Sequence, residues 1–178
     1  MRFIFLYGPD GCGKTTVAIE LAKSINNSII IPFEPGPYGV LVEEIDSGFL
    51  GVNSAVKQSI DPLKSFLFLI RHLFRFLLFK IRFKKRYKTV IVTRGIIEFG
   101  INDTHRSFPK IVTKCIQKIL FSNNFLITRS VIKILEQKPE LPKYKILSLY
   151  EDYLMAGCTP ILNESLDDCV VAILKKIK

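Results

Sequence analysis

The sequence lacks the cysteine and histidine patterns of metal sites and disulfide frameworks. Its four cysteines form no Cys-x-x-Cys pair, and only His72 and His105 are available to join them. A structural zinc site or a set of disulfides is therefore not supported. Isolated cysteines among apolar neighbours are typical of small buried side chains in a reducing compartment, and we expect a cytoplasmic protein.

Targeting and membrane-spanning segments are also not expected from this sequence. The apolar start of the chain is interrupted at Gly8, which is too early for a signal peptide, and it is better interpreted as a buried first strand. The longest apolar stretch, residues 63–83, contains five Lys or Arg residues. Because each charge at the centre of a bilayer costs about 2.5–3.5 kcal/mol on insertion scales, this stretch is not expected to span a membrane.

What the sequence does contain is an apolar composition with an excess of positive charge. The 178 residues are 48% hydrophobic, and 26 Lys and Arg residues against 16 Asp and Glu residues give a net charge of +10. Such a surface attracts the phosphates of nucleotides, nucleic acids or lipids. No helix-turn-helix or zinc-finger pattern is visible, so nucleic acid is not an expected partner. Because no repeat or linker divides the chain, we expect a single domain over residues 1–178.

Short apolar runs alternate with helical patterns along the whole chain. This alternation predicts an α/β protein with about five parallel strands and crossover helices on both faces. The expected strands are residues 2–7, 28–33, 89–93, 124–128 and 159–162. The expected helices are residues 14–25, 62–87 with Asp61 as the N-cap, 109–121, 130–137, 143–155 with Gly157 as the stop, and 165–177.

An irregular loop is predicted after the second strand, at residues 32–39. Three prolines and two glycines in these eight residues exclude regular structure. Because ligands bind at the carboxyl edge of open α/β sheets, Glu34 and Pro35 in this loop are candidate substrate contacts. A plain turn is the alternative interpretation.

The most specific motif is a glycine-rich loop between the first strand and the first helix. Residues 8–15 match the pattern Gly-x-x-x-x-Gly-Lys-Thr, in which backbone amides converge on phosphate oxygens at a helix N-terminus. In this pattern Lys14 bridges the β- and γ-phosphates and Thr15 holds Mg²⁺. The motif therefore predicts ATP and Mg²⁺ as cofactors, in a three-layer P-loop NTPase fold. The candidate nucleotide-binding residues are Gly8, Asp10, Gly11, Cys12, Gly13, Lys14, Thr15 and Thr16.

Residues 8–16 resemble the start of the thymidylate kinases and thymidylate-kinase-like proteins. Residues 90–95, 135–140 and 160–163 extend the resemblance, in the family's order, to the strand that ends in Asp-Arg, the lid region and the last strand. The resemblance implies transfer of the γ-phosphoryl group of ATP to a small phosphorylated acceptor, with thymidylate the first choice, and it makes a homodimer a candidate assembly. It assigns Arg94 to the acceptor phosphate, so that Lys14, Arg94 and Asp10 are the catalytic candidates.

Two departures from the family's pattern bear on activity. Thr93 replaces an aspartate that helps to organise the water shell of Mg²⁺, and Gln137 replaces the lid arginine, so each position loses a charge. Arg129 or Lys138 would have to supply the missing lid charge. Two alternatives therefore stay open: a nucleotide-binding module that has lost most catalysis, and a kinase for a non-nucleotide acceptor such as a sugar or lipid intermediate.

Three candidate residues have a second interpretation. Asp10 contacts the acceptor, or it hydrogen-bonds the amides of its own loop. Arg94 binds an acceptor phosphate, or it forms a surface salt bridge. Glu98 contacts the substrate, or it is a solvated carboxylate.

A basic stripe follows one side of the helix predicted at residues 62–87. Its members, spaced 7, 4, 7 and 4 residues apart, are Lys64, Arg71, Arg75, Arg82 and Arg86. The stripe is solvent-exposed, or it lies on an anionic membrane surface, or it reaches the acceptor pocket. In the last case the resemblance to thymidylate kinases, which carry an acceptor-phosphate arginine on this helix, selects Arg71 or Arg75. The wide apolar face of the same helix is a candidate dimer interface.

Overall fold

The computed structural model describes residues 1–32, 62–97, 115–116 and 123–177, and it contains five strands and five longer helices in those ranges. The strands are β1 (Arg2–Tyr7), β2 (Ser28–Pro32), β3 (Thr89–Thr93), β4 (Asn123–Thr128) and β5 (Thr159–Leu162). The helices are α1 (Lys14–Ser24), α2 (Pro62–Phe83), α3 (Val131–Gln137), α4 (Lys143–Met155) and α5 (Leu166–Lys176).

The five strands form one sheet in the order β2-β3-β1-β4-β5, and every neighbouring pair is parallel. The predicted α/β fold with a five-stranded parallel sheet is therefore confirmed. The chain first builds the sheet on one side of β1 and then continues on the other side with β4. The carboxyl end of β1 consequently lies where the strand order changes direction, which is the place where open α/β sheets bind ligands.

The central strand divides the apolar core into two layers. Alternate side chains of β1 point to opposite faces, because the side-chain period of a strand is two. Phe5 and its neighbours on one face pack with Leu73 of α2 and Tyr153 of α4. Leu6 and its neighbours on the other face pack with residues of α1 and α5, including Leu21. Because both faces are covered, strands that are apolar throughout are stable here, and the architecture has three layers.

The predicted bounds hold closely for most elements. β1, β3, β5 and α4 match the predicted ranges, and β4 begins one residue earlier, at Asn123. Gly157 ends α4 as predicted, because it has the left-handed φ of 86° and its amide donates to the carbonyl of Leu154 at 2.9 Å. Pro32, predicted to begin the irregular loop at 32–39, is instead the last residue of β2. The rest of that loop, the cap Asp61 and the helix at 109–121 lie outside the described residues, except that residues 115–116 are helical.

The predicted extension of α2 to residue 87 is wrong. The helix ends at Phe83, whose carbonyl accepts hydrogen bonds from the amides of Arg86 (3.0 Å) and Tyr87 (2.9 Å) and so closes a turn. The chain then enters β3 through the amide of Lys88, which donates to the carbonyl of Asn27 at 2.8 Å. Two physical causes end the helix here. A longer helix would place like charges four residues apart, Lys80 with Lys84 and Arg82 with Arg86, and the chain must also pair with the start of the sheet. None of the described helices is long and apolar enough to cross a membrane.

Candidate phosphate-binding site

The loop between β1 and α1 has a backbone that requires glycine. Gly8 has a φ of 140°, and a Cβ on it would lie 2.7 Å from both the sulfur of Cys12 and the carbonyl oxygen of Ile127. Gly13 has a left-handed φ of 91°, and a Cβ on it would lie 2.6 Å from the side-chain nitrogen of Asn163. The glycines therefore let the loop turn tightly at the N-terminus of α1, where the helix dipole favours an anion.

Replacing Gly13 with alanine is expected to destabilise the protein by about 2–3 kcal/mol. A left-handed backbone costs an L-residue roughly 1–2 kcal/mol, and displacing Asn163 loses a hydrogen bond worth about 1 kcal/mol. Gly157→Ala is the matched control, because Gly157 has nearly the same φ, 86°, but nothing within 4 Å of an added Cβ. In urea unfolding, the control should lose only the free energy that a left-handed backbone costs an alanine. Equal losses in the free energy of unfolding for the two variants would show that the contact between Asn163 and an added Cβ at residue 13 costs nothing.

Lys14 places a positive charge inside this loop. The residue is only 7% exposed, and its ammonium group donates to the carbonyls of Gly8 at 2.7 Å and Pro9 at 2.8 Å. Its nitrogen also lies 3.7 Å from Oδ1 of Asp10. A buried ammonium group needs such partners, and here they hold the charge where the loop amides converge.

Arg94 approaches the same carboxylate from the end of β3. Its guanidinium donates to Oδ1 of Asp10 at 2.5 Å, and its backbone amide donates to the carbonyl of Leu6 at 2.8 Å. The residue has a left-handed φ of 76°, which is uncommon for a residue other than glycine and turns the side chain toward the loop. Gly95 follows with no room for a Cβ, because Phe5 and Tyr7 occupy that space. The backbone after β3 is therefore held in one conformation, and this fixes the position of Arg94.

Asp10 joins the two cations. Burial opposes ionisation of its carboxyl group, but the positive charges of Lys14, Arg94 and Lys138 outweigh burial and lower its pKa below the ordinary value of 3.8. The carboxylate stays ionised at neutral pH and holds Lys14 and Arg94 near each other. This bridging role differs from both sequence interpretations of Asp10.

Two further basic side chains lie beside the loop. Arg129, which follows β4, donates from its guanidinium to the carbonyl of Gly11 at 3.4 Å. Lys138, which follows α3, packs its aliphatic stem near Gly11, where an added Cβ would lie 3.2 Å from its Cγ. Its ammonium group lies 3.7 Å from Oε1 of Glu140. The structure thus places both candidates for the missing lid charge at the edge of the phosphate-binding loop.

Tyr150 anchors the main chain at Arg129. Its hydroxyl accepts a hydrogen bond from the amide of Arg129 at 3.0 Å and donates one to the carbonyl of the same residue at 3.1 Å. Burial raises the pKa of Tyr150 to about 12, so the hydroxyl keeps its proton and can donate. Sequence reasoning missed this residue, because a tyrosine within a helix carries no signal of the loop that it will contact.

Asn163 was also missed as a site residue. Its amide donates to the carbonyl of Thr128 at 2.7 Å, and its side-chain nitrogen donates to the carbonyl of Cys12 at 2.9 Å. A signal was available, because Asn163 is the first residue after the last strand and so lies at the carboxyl edge. Burial raises the pKa of the Cys12 thiol, although the ammonium of Lys14 lies 3.9 Å from its sulfur. The thiol of Cys12, which is fully buried, therefore packs inside the loop.

The remaining candidates fall into two groups. Thr15 and Thr16 are exposed in the first turn of α1, Arg71 is exposed on α2, and Gln137 is exposed at the end of α3, whereas Thr93 is half-buried at the end of β3. Other candidates lie outside the described residues, and these are Glu34, Pro35, Glu98 and the side chain of Arg75. The site that the structure brings together thus consists of residues 8–15 with Arg94, Arg129, Lys138 and Asn163.

The geometry fits the phosphates of a nucleotide. The tight glycines and the N-terminus of α1 supply amides for anionic oxygens, and four basic side chains at the site supply positive charge. In the described ranges no group of three or more His, Cys, Asp or Glu side chains is placed to hold a metal ion.

The sheet order and the geometry of the site are together those of a P-loop kinase fold. No family model matches the sequence, and no curated protein matches it significantly. Solved structures do match. A thymidylate kinase from Ehrlichia chaffeensis has a TM-score of 0.56 at 17% identity, over 98% of this chain and 97% of that one. A thymidylate kinase from Candida albicans has a TM-score of 0.58 at 14% identity, over 98% and 89%. The chain has a thymidylate-kinase-like P-loop kinase fold.

Proposed function

We propose that the protein is an ATP- and Mg²⁺-dependent phosphotransferase whose acceptor is a nucleoside monophosphate, with thymidylate the first acceptor to test. One observation carries the proposal. Lys14 and Arg94 lie 3.7 Å and 2.5 Å from the same oxygen of Asp10. Lys14, the proposed cation for the donor phosphates, and Arg94, the proposed cation for an acceptor phosphate, therefore lie at one edge of the sheet. Direct transfer between two phosphates requires such proximity.

The chain's own residues would divide the work as follows. The amides of residues 8–15 and the ammonium of Lys14 hold the β- and γ-phosphates, and Thr15 contacts Mg²⁺, which supplies charge neutralisation when bound. Arg94 orients the acceptor phosphate, and Asp10 keeps its guanidinium aimed at the loop. Arg129 and Lys138 offer charge to the transferring group. Phosphoryl transfer depends on such positioning and charge more than on a strong base.

The proposal is tested by an acceptor panel. Purified protein is incubated with ATP, Mg²⁺ and each nucleoside monophosphate, nucleoside and sugar or lipid-intermediate acceptor in turn, and ADP is measured. ADP formation dependent on a nucleoside monophosphate is the expected result. If only a non-nucleotide acceptor gives turnover, the proposed acceptor class is wrong, but the proposed phosphotransferase activity stands. Absence of ATP binding would overturn the whole proposal.

Replacing Arg94 with alanine is expected to raise the KM for the acceptor by about 10-fold to 100-fold. A hydrogen bond to a charged group is worth about 1.5–3 kcal/mol, and this one would act on the acceptor alone. The KM for ATP should change less than about threefold in the same steady-state assay. Arg2→Ala, an exposed arginine at the opposite edge of the sheet, is the control. An equal rise in the KM for ATP and the KM for the acceptor would mean that Arg94 also binds the phosphates of ATP.

A nucleotide-binding module without turnover is the second candidate function. The uncharged residues Thr93 and Gln137 favour it, because neither can replace the charge of the aspartate or arginine that the family's pattern has there. ATP binding by calorimetry without ADP formation from any acceptor would support this module.

A further inference from the structure

The positive charge of the chain is concentrated in one segment. Residues 62–97 contain ten of the 26 Lys and Arg residues and no Asp or Glu residue. The rest of the chain therefore has 16 basic and 16 acidic residues, and this segment accounts for the whole net charge of +10. The proposed phosphotransferase uses only Arg94 from it. The other nine charges need a separate explanation.

Most of these charges lie far from the phosphate-binding loop. Six exposed basic residues occupy the last turn of α2 and the turn after it, and they are Lys80, Arg82, Lys84, Lys85, Arg86 and Lys88. The carbonyl of Lys88 accepts a hydrogen bond from the amide of Arg2 at 2.8 Å, and both residues precede or begin strands. The turn therefore lies at the amino edge of the sheet, opposite the loop at 8–15, and cannot serve phosphoryl transfer.

An exposed apolar stripe runs along α2 toward this turn. Its six side chains are between 46% and 69% exposed, and they are Leu67, Ile70, Phe74, Leu77, Leu78 and Ile81. At 3.6 residues per turn they fall within an arc of about 100°. Arg71 and Arg82, both exposed, fall at one border of that arc. Contiguous exposed apolar residues of this kind mark an interaction surface.

The end of the stripe combines aromatic and basic side chains. The guanidinium carbon of Arg82 lies 5.6 Å from the ring centre of Phe83, and that of Arg86 lies 5.4 Å from the ring centre of Tyr87. Such pairs have an apolar body and a charged or polar end, which suits the boundary between lipid headgroups and acyl chains.

We propose that α2 and the turn at 84–88 form a docking surface for anionic phospholipid membranes. The apolar stripe enters the headgroup boundary while the basic side chains bind lipid phosphates. Charge complementarity selects this occupant. A second copy of this segment could cover the apolar stripe, but because residues 62–97 contain no Asp or Glu it would supply no negative charge for the basic side chains. Nucleic acid would satisfy the charges but would leave six apolar side chains without an apolar phase.

Vesicle co-sedimentation tests the docking surface. The full chain is mixed with vesicles of phosphatidylcholine alone or with 30% phosphatidylserine, at low and high salt. We expect binding to the anionic vesicles only, weakened by salt. The variant Lys84→Glu/Lys85→Glu/Arg86→Glu should lose at least about tenfold in partitioning. The variant Phe74→Ser/Ile81→Ser should lose at least about fivefold in partitioning, and this loss should include the binding that remains at high salt.

A matched control separates position from total charge. Lys133→Glu/Lys143→Glu/Lys175→Glu makes the same change in net charge at exposed sites on three other helices. Its partitioning onto anionic vesicles should fall by less than about threefold. Equal losses for the two triple variants would overturn the proposal. Circular dichroism checks folding, and Lys84→Gln/Lys85→Gln/Arg86→Gln replaces the Glu variant if that one unfolds.

Two other results would also overturn it. Sedimentation velocity could give twice the mass of the chain, with Phe74→Ser/Ile81→Ser returning it to the single-chain mass and vesicle binding unchanged; the stripe would then be a contact between copies. Alternatively, single-stranded or duplex DNA could bind more tightly than anionic vesicles and depend on residues 84–86 but not on Phe74 and Ile81. Neither result involves ADP formation, so failure here is distinct from failure of the proposed function.

Discussion

Replacing Lys14 with methionine is expected to lower kcat for ADP formation by at least about 100-fold. Removing one preorganised donor to developing charge typically costs a factor of about 10²–10³, and here the donor is a full charge inside a loop of amides. Methionine keeps most of the buried aliphatic stem, so the loop should stay packed while the ammonium is lost. Steady-state assays at saturating ATP and acceptor measure the effect.

Lys23→Met is the control for this substitution. Lys23 lies in the last turn of α1, is exposed, and pairs with Glu20 at 2.9 Å on the surface. Its loss should leave kcat within about twofold, because an exposed pair contributes little. Thermal unfolding of both variants separates lost chemistry from lost folding. Turnover by a folded Lys14→Met protein at the original rate would place the activity in another site or in a contaminant.

Removing Arg129 and Lys138 together is expected to lower kcat by about 10³-fold. Arginine charge on a transferring phosphoryl group is worth on the order of 10³–10⁵ in rate, and these two side chains are the basic groups next to Gly11. The pairing of Arg129 with Tyr150 uses only main-chain atoms of Arg129 and therefore survives Arg129→Ala. The KM for ATP should rise much less than kcat falls.

Two companion variants sharpen this result. Lys133→Ala removes an exposed lysine from the same short helix and should leave kcat unchanged. Gln137→Arg in the Lys138→Ala background should recover part of the rate, because it restores a guanidinium one residue away. If the double alanine variant keeps full turnover, the lid charge is not needed from either residue. If no variant or parent turns over, the nucleotide-binding module is favoured.

Much of the sheet could be predicted from local pattern alone. β1, β3 and β5 have the predicted bounds, because each is a short apolar run that stops at a glycine or a polar residue. The end of α2 could not be predicted in this way. The helical pattern continues past Phe83, but the chain must turn there so that Lys88 can bond Asn27. That partner is distant in sequence, and periodicity contains no information about it.

The site divides in the same manner. The glycine-rich loop is contiguous in sequence, so its motif predicted the turn that Gly8 and Gly13 make. Asn163 bonds the carbonyl of Cys12, 151 residues away in the chain. Tyr150 bonds the main chain of Arg129, whose guanidinium donates to the carbonyl of Gly11, 118 residues away. The motif at residues 8–15 predicts neither contact. Their roles depend on which strand ends and helices are neighbours, which follows from the order of the sheet.

The amino-acid sequence by itself determined the alternation of strands and helices and the phosphate-binding loop, because both depend on residues close together in the chain. Only the tertiary structure decided which charges meet. Asp10 and Arg94 are 84 residues apart, and they are paired because β1 and β3 are adjacent and parallel, with Leu6 opposite Thr93. The physical reason is that side-chain pattern selects the type of each element, whereas packing of all the elements together selects their order in the sheet.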